Sequence, residues 1–93
     1  MGAGVSQWQL GDRVMALFFP QWLEGSASAE TMADFAGDTV DGYATEFSCL
    51  SADSVSRIPR GYSFAEAATL PCAGLTAWRA LIEECHFEAG DSV

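Results

Sequence analysis

Pro71 and Cys72 stand side by side in the run AATLPCAGLTAWRAL, residues 67–81, with small residues on both sides and an apolar stripe beyond. A free cysteine has two common fates. Its thiolate can ligate a soft metal, or the side chain can pack as a small hydrophobe. Four residues on, Thr76 offers a hydroxyl that in an ordinary helix bonds a carbonyl one turn back. Cys49, Cys72 and Cys85 form an odd, widely spaced set without a CxxC pair, which leaves no foothold for a zinc ribbon or a thioredoxin-like redox pair. Reduced thiols in a cytosolic protein are the simplest account.

Other constellations fall away on spacing. Cys85 and His86 are neighbours, and adjacent helical residues point about 100° apart, so their donor atoms do not converge. A frayed helix end is expected there. Asp34, Asp38 and Asp41 lack the spacing of an EF-hand loop. Gly2 and Gly4 open no dinucleotide fingerprint, because Gln7 stands where the third glycine is required and no strand precedes them. Phe18, Phe19, Trp22 and Phe35 are open to two readings: an apolar substrate pocket, or the cap of an exposed barrel end.

The elements that must position these residues follow from local pattern. Gly11-Asp12 reads as a turn releasing a strand over Arg13–Phe19, ended by Pro20. Residues 21–42 form a long connection rich in Gly, Ser, Ala and Asp, with a short helical turn expected over Ala29–Phe35. Gly42–Leu50 is the strongest strand candidate and Asp53–Ile58 a second, ended by Pro59-Arg60-Gly61. Ser63-Phe64-Ala65-Glu66 fits a capping box, and Pro71 ends that helix within two turns. A second helix is expected over Ala73–Cys85. It carries Leu75, Trp78, Ile82 and Cys85 on one face and an Arg79–Glu83 pair on the other. Ser92-Val93 begins what reads as another strand.

Ninety-three residues allow one domain at most. Thirteen acidic residues stand against four arginines and no lysine, and a net charge of −9 argues against binding phosphate backbones or anionic membrane surfaces. No apolar run is long enough to span a bilayer, and Val14–Phe19 follows Gly-Asp-Arg rather than a basic leader.

Four elements in order resemble the medium-chain dehydrogenase/reductase family, the zinc-type alcohol dehydrogenases and their quinone-reductase-like relatives. Gly11-Asp12-Arg13-Val14 is similar to the family's GDRV turn and strand, and Gly42–Phe47 to its G-x-x-A-E-Y/F strand with Thr45 inserted. Ile58-Pro59 with Phe64–Ala68 resembles the approach to the family's linking helix, which Ala67–Leu81 resembles in turn. Gly90-Asp91-Ser92-Val93 resembles the turn that opens its nucleotide-binding half.

The resemblance implies an α+β fragment. Residues 1–62 would be a partial GroES-like β-barrel catalytic domain. Residues 63–93 would be linking helices and the start of a truncated nucleotide-binding (Rossmann) domain that is otherwise absent. It implies an oxidoreductase parent that moves a hydride between NAD or NADP and an alcohol, aldehyde, ketone or quinone; the cytoplasmic location is the expectation from the unpaired cysteines alone. By position, Cys72 matches the last catalytic-zinc ligand of zinc-dependent members, and Thr76 matches a contact to the nicotinamide end of the cofactor. A catalytic zinc needs three protein ligands, and the chain supplies one candidate; His86 does not match the family's Gly-His-Glu segment. Zinc use stays open. The chain alone is expected to bind no dinucleotide tightly and to be inactive. The alternative is a standalone GroES-like module without catalysis that binds a partner chain or self-associates as a homo-oligomer.

Overall fold

The computed structural model describes residues 1–92. Its sheet is a two-stranded antiparallel ladder, β1 (Val14–Ala16) against β2 (Val55–Arg57), in the register Val14↔Arg57, Met15↔Ser56 and Ala16↔Val55. Single bonds extend the ladder at both ends: the Leu17 amide donates to the Ser54 carbonyl at 2.9 Å and the Ile58 amide to the Arg13 carbonyl at 3.0 Å. Both strands lie inside the expected segments but are shorter. The first residues of the second segment form instead a 3₁₀ turn, Ala52–Ser54, capped by the Ser51 hydroxyl.

The amino-terminal loop is fastened to this second strand region. Trp8 Nε1 donates to the Ala52 carbonyl at 2.8 Å, Gln7 Nε2 to Asp53 Oδ1 at 3.0 Å, and Arg57 Nη1 to Asp12 Oδ1 at 2.9 Å. The Arg57 guanidinium also lies 4.8 Å from the Trp8 ring centre.

Gly42–Leu50, the strongest strand candidate, is not a strand. A strand exists only where another backbone accepts its ladder. Here the bonds stay local, from the Thr45 amide to the Tyr43 carbonyl at 2.8 Å and from the Thr45 hydroxyl to the Phe47 carbonyl at 3.1 Å. Phe47 remains 82% exposed, so no apolar surface fixes a facing for this segment. The helical turn expected over Ala29–Phe35 is confined to one turn, in which the Met32 amide bonds the Ser28 carbonyl at 3.1 Å. The strand expected from Ser92-Val93 falls partly outside the described residues.

α1 (Phe64–Ala67) begins at the capping box read from Ser63 and Glu66. It carries Ala67, which at 1% exposure is the one buried hydrophobic residue among those described. α2 runs over residues 70–84, with a π-helical first section (Leu70–Gly74), an α-helical centre (Leu75–Trp78) and a π-helical end (Arg79–Glu84). Pro71 explains the first widening. It has no amide to donate, and its ring crowds the carbonyl four residues back. The Gly74 amide then bonds the Thr69 carbonyl, five residues back, at 3.2 Å.

The stripe of Leu75, Trp78 and Ile82 is not buried against the chain; Leu75 is 55% and Trp78 52% exposed. The whole chain is open. Its accessible surface is 7342 Å², against about 5,200 Å² for a compact chain of this mass. Its radius of gyration is 15.2 Å, against about 12 Å for compact packing. The result is an α+β arrangement of one ladder and one bent helix, and the described residues do not close a barrel. No helix among them is long and apolar enough to cross a membrane.

Candidate functional site

The site is built by two elements: the loop that leaves β1, residues 17–25, and the helix α2 that faces it. Pro20 stops the strand, and the chain turns back at once, with the Trp22 amide donating to the Phe19 carbonyl at 3.1 Å. This folds four aromatic rings together. Phe18 stacks on Phe35 at 5.3 Å between ring centres, Phe19 meets both Phe18 (4.8 Å) and Phe35 (5.7 Å) edge-on, and Trp22 leans on Phe19 at 6.1 Å. Such offset and edge-on pairs suit the ring quadrupoles and add about 0.5–1.5 kcal/mol each beyond their burial.

Between loop and helix lies a cleft of about 640 Å³, within the usual range for small-molecule sites. One wall is Phe18, Phe19, Trp22 and Leu23; the other is Cys72, Leu75, Thr76 and Trp78. Glu24, Arg79 and Glu83 supply its charged groups. A second cavity of about 360 Å³ lies between β1 and α1. Leu17, Phe18, Pro71 and Cys72 border both, so Cys72 sits on the partition between the two spaces.

The structure therefore brings Cys72 and Thr76 to one wall and sets Phe18, Phe19 and Trp22 opposite them. Phe35 joins the aromatic cluster from behind and does not line the cleft. Cys72 is exposed rather than packed as a core residue, as are Cys49 and Cys85. Cys85 and His86 lie where α2 unwinds: His86 has φ of 50°, and the Phe87 amide reaches back to the Leu81 carbonyl at 2.8 Å. Among the described residues no three His, Cys, Asp or Glu side chains come together as a metal-binding group. These residues do not fit a zinc centre by themselves; Cys72 offers a single thiolate.

Arg79 is the cleft residue that helical spacing misassigns. An Arg79–Glu83 pair is expected from a four-residue step. The structure pairs Arg79 Nε with Glu84 Oε1 at 3.4 Å instead, because the π-helical end brings residues five apart into line. The Arg79 guanidinium then lies 4.9 Å from the Trp22 ring centre. An exposed contact of this kind is worth about 0.5–1 kcal/mol. Sequence spacing gives no sign of it, because Trp22 arrives from a loop more than fifty residues upstream.

Among the described residues two carboxylates, Asp12 and Glu66, have pKa values held below the ordinary range, and both are scaffold rather than cleft groups. Asp12 is held down first by the hydrogen bond from Arg57 and then by the Gln9 amide. Glu66 is held down by the backbone and then the side chain of Ser63.

Comparison with known proteins finds relatives of two kinds, alcohol dehydrogenases and polyketide synthases. Over its full length the chain is 34% identical to a zinc-type alcohol dehydrogenase-like protein of Schizosaccharomyces pombe, covering 28% of that protein. Over 87% of its length it is 36% identical to an alcohol dehydrogenase of Geobacillus stearothermophilus, covering 26% of it. Over 61% of its length it is 40% identical to a phenolphthiocerol synthesis polyketide synthase of Mycobacterium bovis, covering 3% of it. The chain thus spans about a quarter of the length of the two dehydrogenase relatives. No family model matches it, and no solved structure matches it.

Proposed function

This chain belongs to the medium-chain dehydrogenase/reductase family, and from that premise we propose that it carries one wall of the reaction site of a cytoplasmic NAD(P)-dependent oxidoreductase. The reaction is hydride transfer between the nicotinamide and an alcohol, aldehyde, ketone or quinone. Full-length similarity to a zinc-type alcohol dehydrogenase-like protein carries the proposal. The cleft supports it, because the two residues singled out by the family resemblance, Cys72 and Thr76, face it together.

In this reading residues 1–62 belong to a GroES-like catalytic domain, and residues 63–93 lead into the nucleotide-binding domain. The apolar body of the substrate rests on Phe19, Trp22 and Leu75. Packing there holds the reacting carbon in place and keeps water from it, which is the protein's share of the work when a cofactor supplies the hydride. Thr76 offers a hydroxyl toward the nicotinamide end. Were a zinc ion held here, Cys72 would supply one thiolate to it, and the ion would contribute Lewis-acid polarisation of an oxygen. The residues here that fit such an ion amount to Cys72, so its remaining ligands are not among those described.

The test has two arms. Nicotinamide titrations of the chain itself are expected to show no tight binding, and zinc analysis after gel filtration is expected to show no stoichiometric metal. Micromolar affinity or one bound zinc per chain would refute this division of labour. In an intact relative, alanine at the position matching Trp22 is expected to change preference across a panel of alcohols. Unchanged kinetics over that panel would remove Trp22 from the substrate site.

A second reading rests on the open surface. The outer edges of β1 and β2 have no ladder partner among the described residues, and such edges recruit another strand. Self-association as a standalone module would use them. Size exclusion over a range of concentrations separates the readings, since this one requires a defined dimer.

A further inference from the structure

Trp22 is the ring that closes one side of the cleft, and it is held from three directions. Its ring leans on Phe19 at 6.1 Å, its indole Nε1 donates to the Gly25 carbonyl at 3.0 Å, and the Arg79 guanidinium lies 4.9 Å from its centre. The first two tethers belong to the loop itself. Arg79 alone comes from the opposite wall, on the same helix as Cys72 and Thr76. Arg79 is in turn steadied by Glu84, Nε to Oε1 at 3.4 Å. A path of contacts therefore runs from Glu84 through Arg79 and Trp22 to Gly25, across the open side of the cleft.

We propose that Arg79 is a positioning residue: its guanidinium clamps the Trp22 indole against α2, setting the width of the cleft and favouring substrates with a flat aromatic group over small alkyl ones. The inference rests on the cleft being the substrate site. An indole fixed in one plane offers a flat face to an aromatic substrate. An indole free to swing presents no fixed face and admits solvent. A small alkyl alcohol spans little of the cleft and gains little from either state. A planar guanidinium can stack on the ring and bond Glu84 together, which a lysine ammonium cannot reproduce.

The experiment uses the full chain labelled with 5-fluorotryptophan, whose three indoles give separate fluorine resonances. Trp22→Phe assigns the Trp22 signal, and far-ultraviolet circular dichroism confirms that each variant keeps the wild-type fold. The ligand probes are benzyl alcohol and ethanol. Arg79→Met is expected to shift and broaden the Trp22 resonance and to weaken benzyl alcohol binding about two- to five-fold, leaving ethanol unchanged. Arg79→Lys is expected to restore part of both effects. A Trp22 resonance unmoved by Arg79→Met overturns the clamp. A resonance that moves while benzyl alcohol binds both chains equally overturns the specificity role and leaves the cleft reading intact. Failure of benzyl alcohol to perturb Trp22 in either chain overturns the cleft reading, and the specificity role with it. Should Arg79→Met lose its fold, Glu84→Gln tests the same path from its far end, with a smaller shift of the Trp22 resonance expected and no shift counting against the clamp.

Discussion

Arg57 and Asp12, forty-five positions apart, meet at 2.9 Å between Nη1 and Oδ1 and tie the turn before β1 to the strand that pairs with it. The same carboxylate accepts the Gln9 amide through Oδ2 at 2.8 Å, so one side chain fixes both the local turn and the long-range register.

Asp12 gives a pH prediction with a definite sign. Its folded-state pKa lies below the ordinary 3.8, chiefly through the bond from Arg57. The stability it contributes is therefore fully present above that ordinary value and is lost as pH falls through the lower folded value. Acid unfolding followed by circular dichroism should be shallower below about pH 4 in Asp12→Asn than in the parent chain, and the variant should be less stable at neutral pH. Superimposable curves would show that the pair contributes nothing.

The cap of α1 should be felt alone. Ser63 Oγ accepts the Glu66 amide at 3.2 Å, while the Ser63 amide donates to Glu66 Oε2 at 2.8 Å. Ser63→Ala is expected to cost about 1 kcal/mol in urea unfolding. Loss of less than a few tenths would mean that α1 is held by its Ala67 contact and not by its cap.

Gly61 makes a conformational prediction that no contact explains. It has φ of +89° in the turn closed by the Tyr62 amide on the Pro59 carbonyl at 3.2 Å, and a Cβ there would meet nothing within 4 Å. The penalty for Gly61→Ala is therefore backbone strain alone, about 1–2 kcal/mol. A neutral or stabilising result would show that the turn relaxes to negative φ.

The open surface sets the behaviour in solution. X-ray scattering of dilute chain at low salt should give a radius of gyration nearer the observed 15.2 Å than the compact value of about 12 Å. A net charge of −9 makes copies repel, so association through the exposed apolar residues should strengthen as salt shortens the screening length to about 10 Å at 0.1 M and less beyond. Association that weakens with salt would point to an ionic interface instead.

Features of this fold that depend on neighbours in the sequence are legible in it. Ser63 and Glu66 announce a helix start and Gly11-Asp12 the release of β1, because each acts through atoms within a few residues; Pro71, expected to end the first helix, lies instead inside α2 at its widened opening, after α1 has stopped at Ala67. Gly42–Leu50 misleads because its strand propensity needs an accepting backbone, which no local residue supplies. The exposed stripe of Leu75 and Trp78 misleads similarly: periodicity places these residues on one face and does not say what covers it. Cys72 and Thr76 are legible as a pair from the family resemblance, and the aromatic run 18–22 as a pocket candidate. Their meeting across a cleft, and the arrival of Arg79 over Trp22, depend on how a loop and a helix far apart in the chain are brought together.

The widened turn at Leu70–Gly74 gives this segment an unusual tolerance to one kind of genetic change. Its turn holds one residue more than an ordinary α-helical turn, so losing one codon there would leave a plain α-helix whose later side chains keep their directions around the axis. Thr76 and Arg79 would stay on the side of the helix they occupy now. The same loss within the α-helical centre, Leu75–Trp78, would instead swing the side chains that follow by about 100° and take the guanidinium away from the indole.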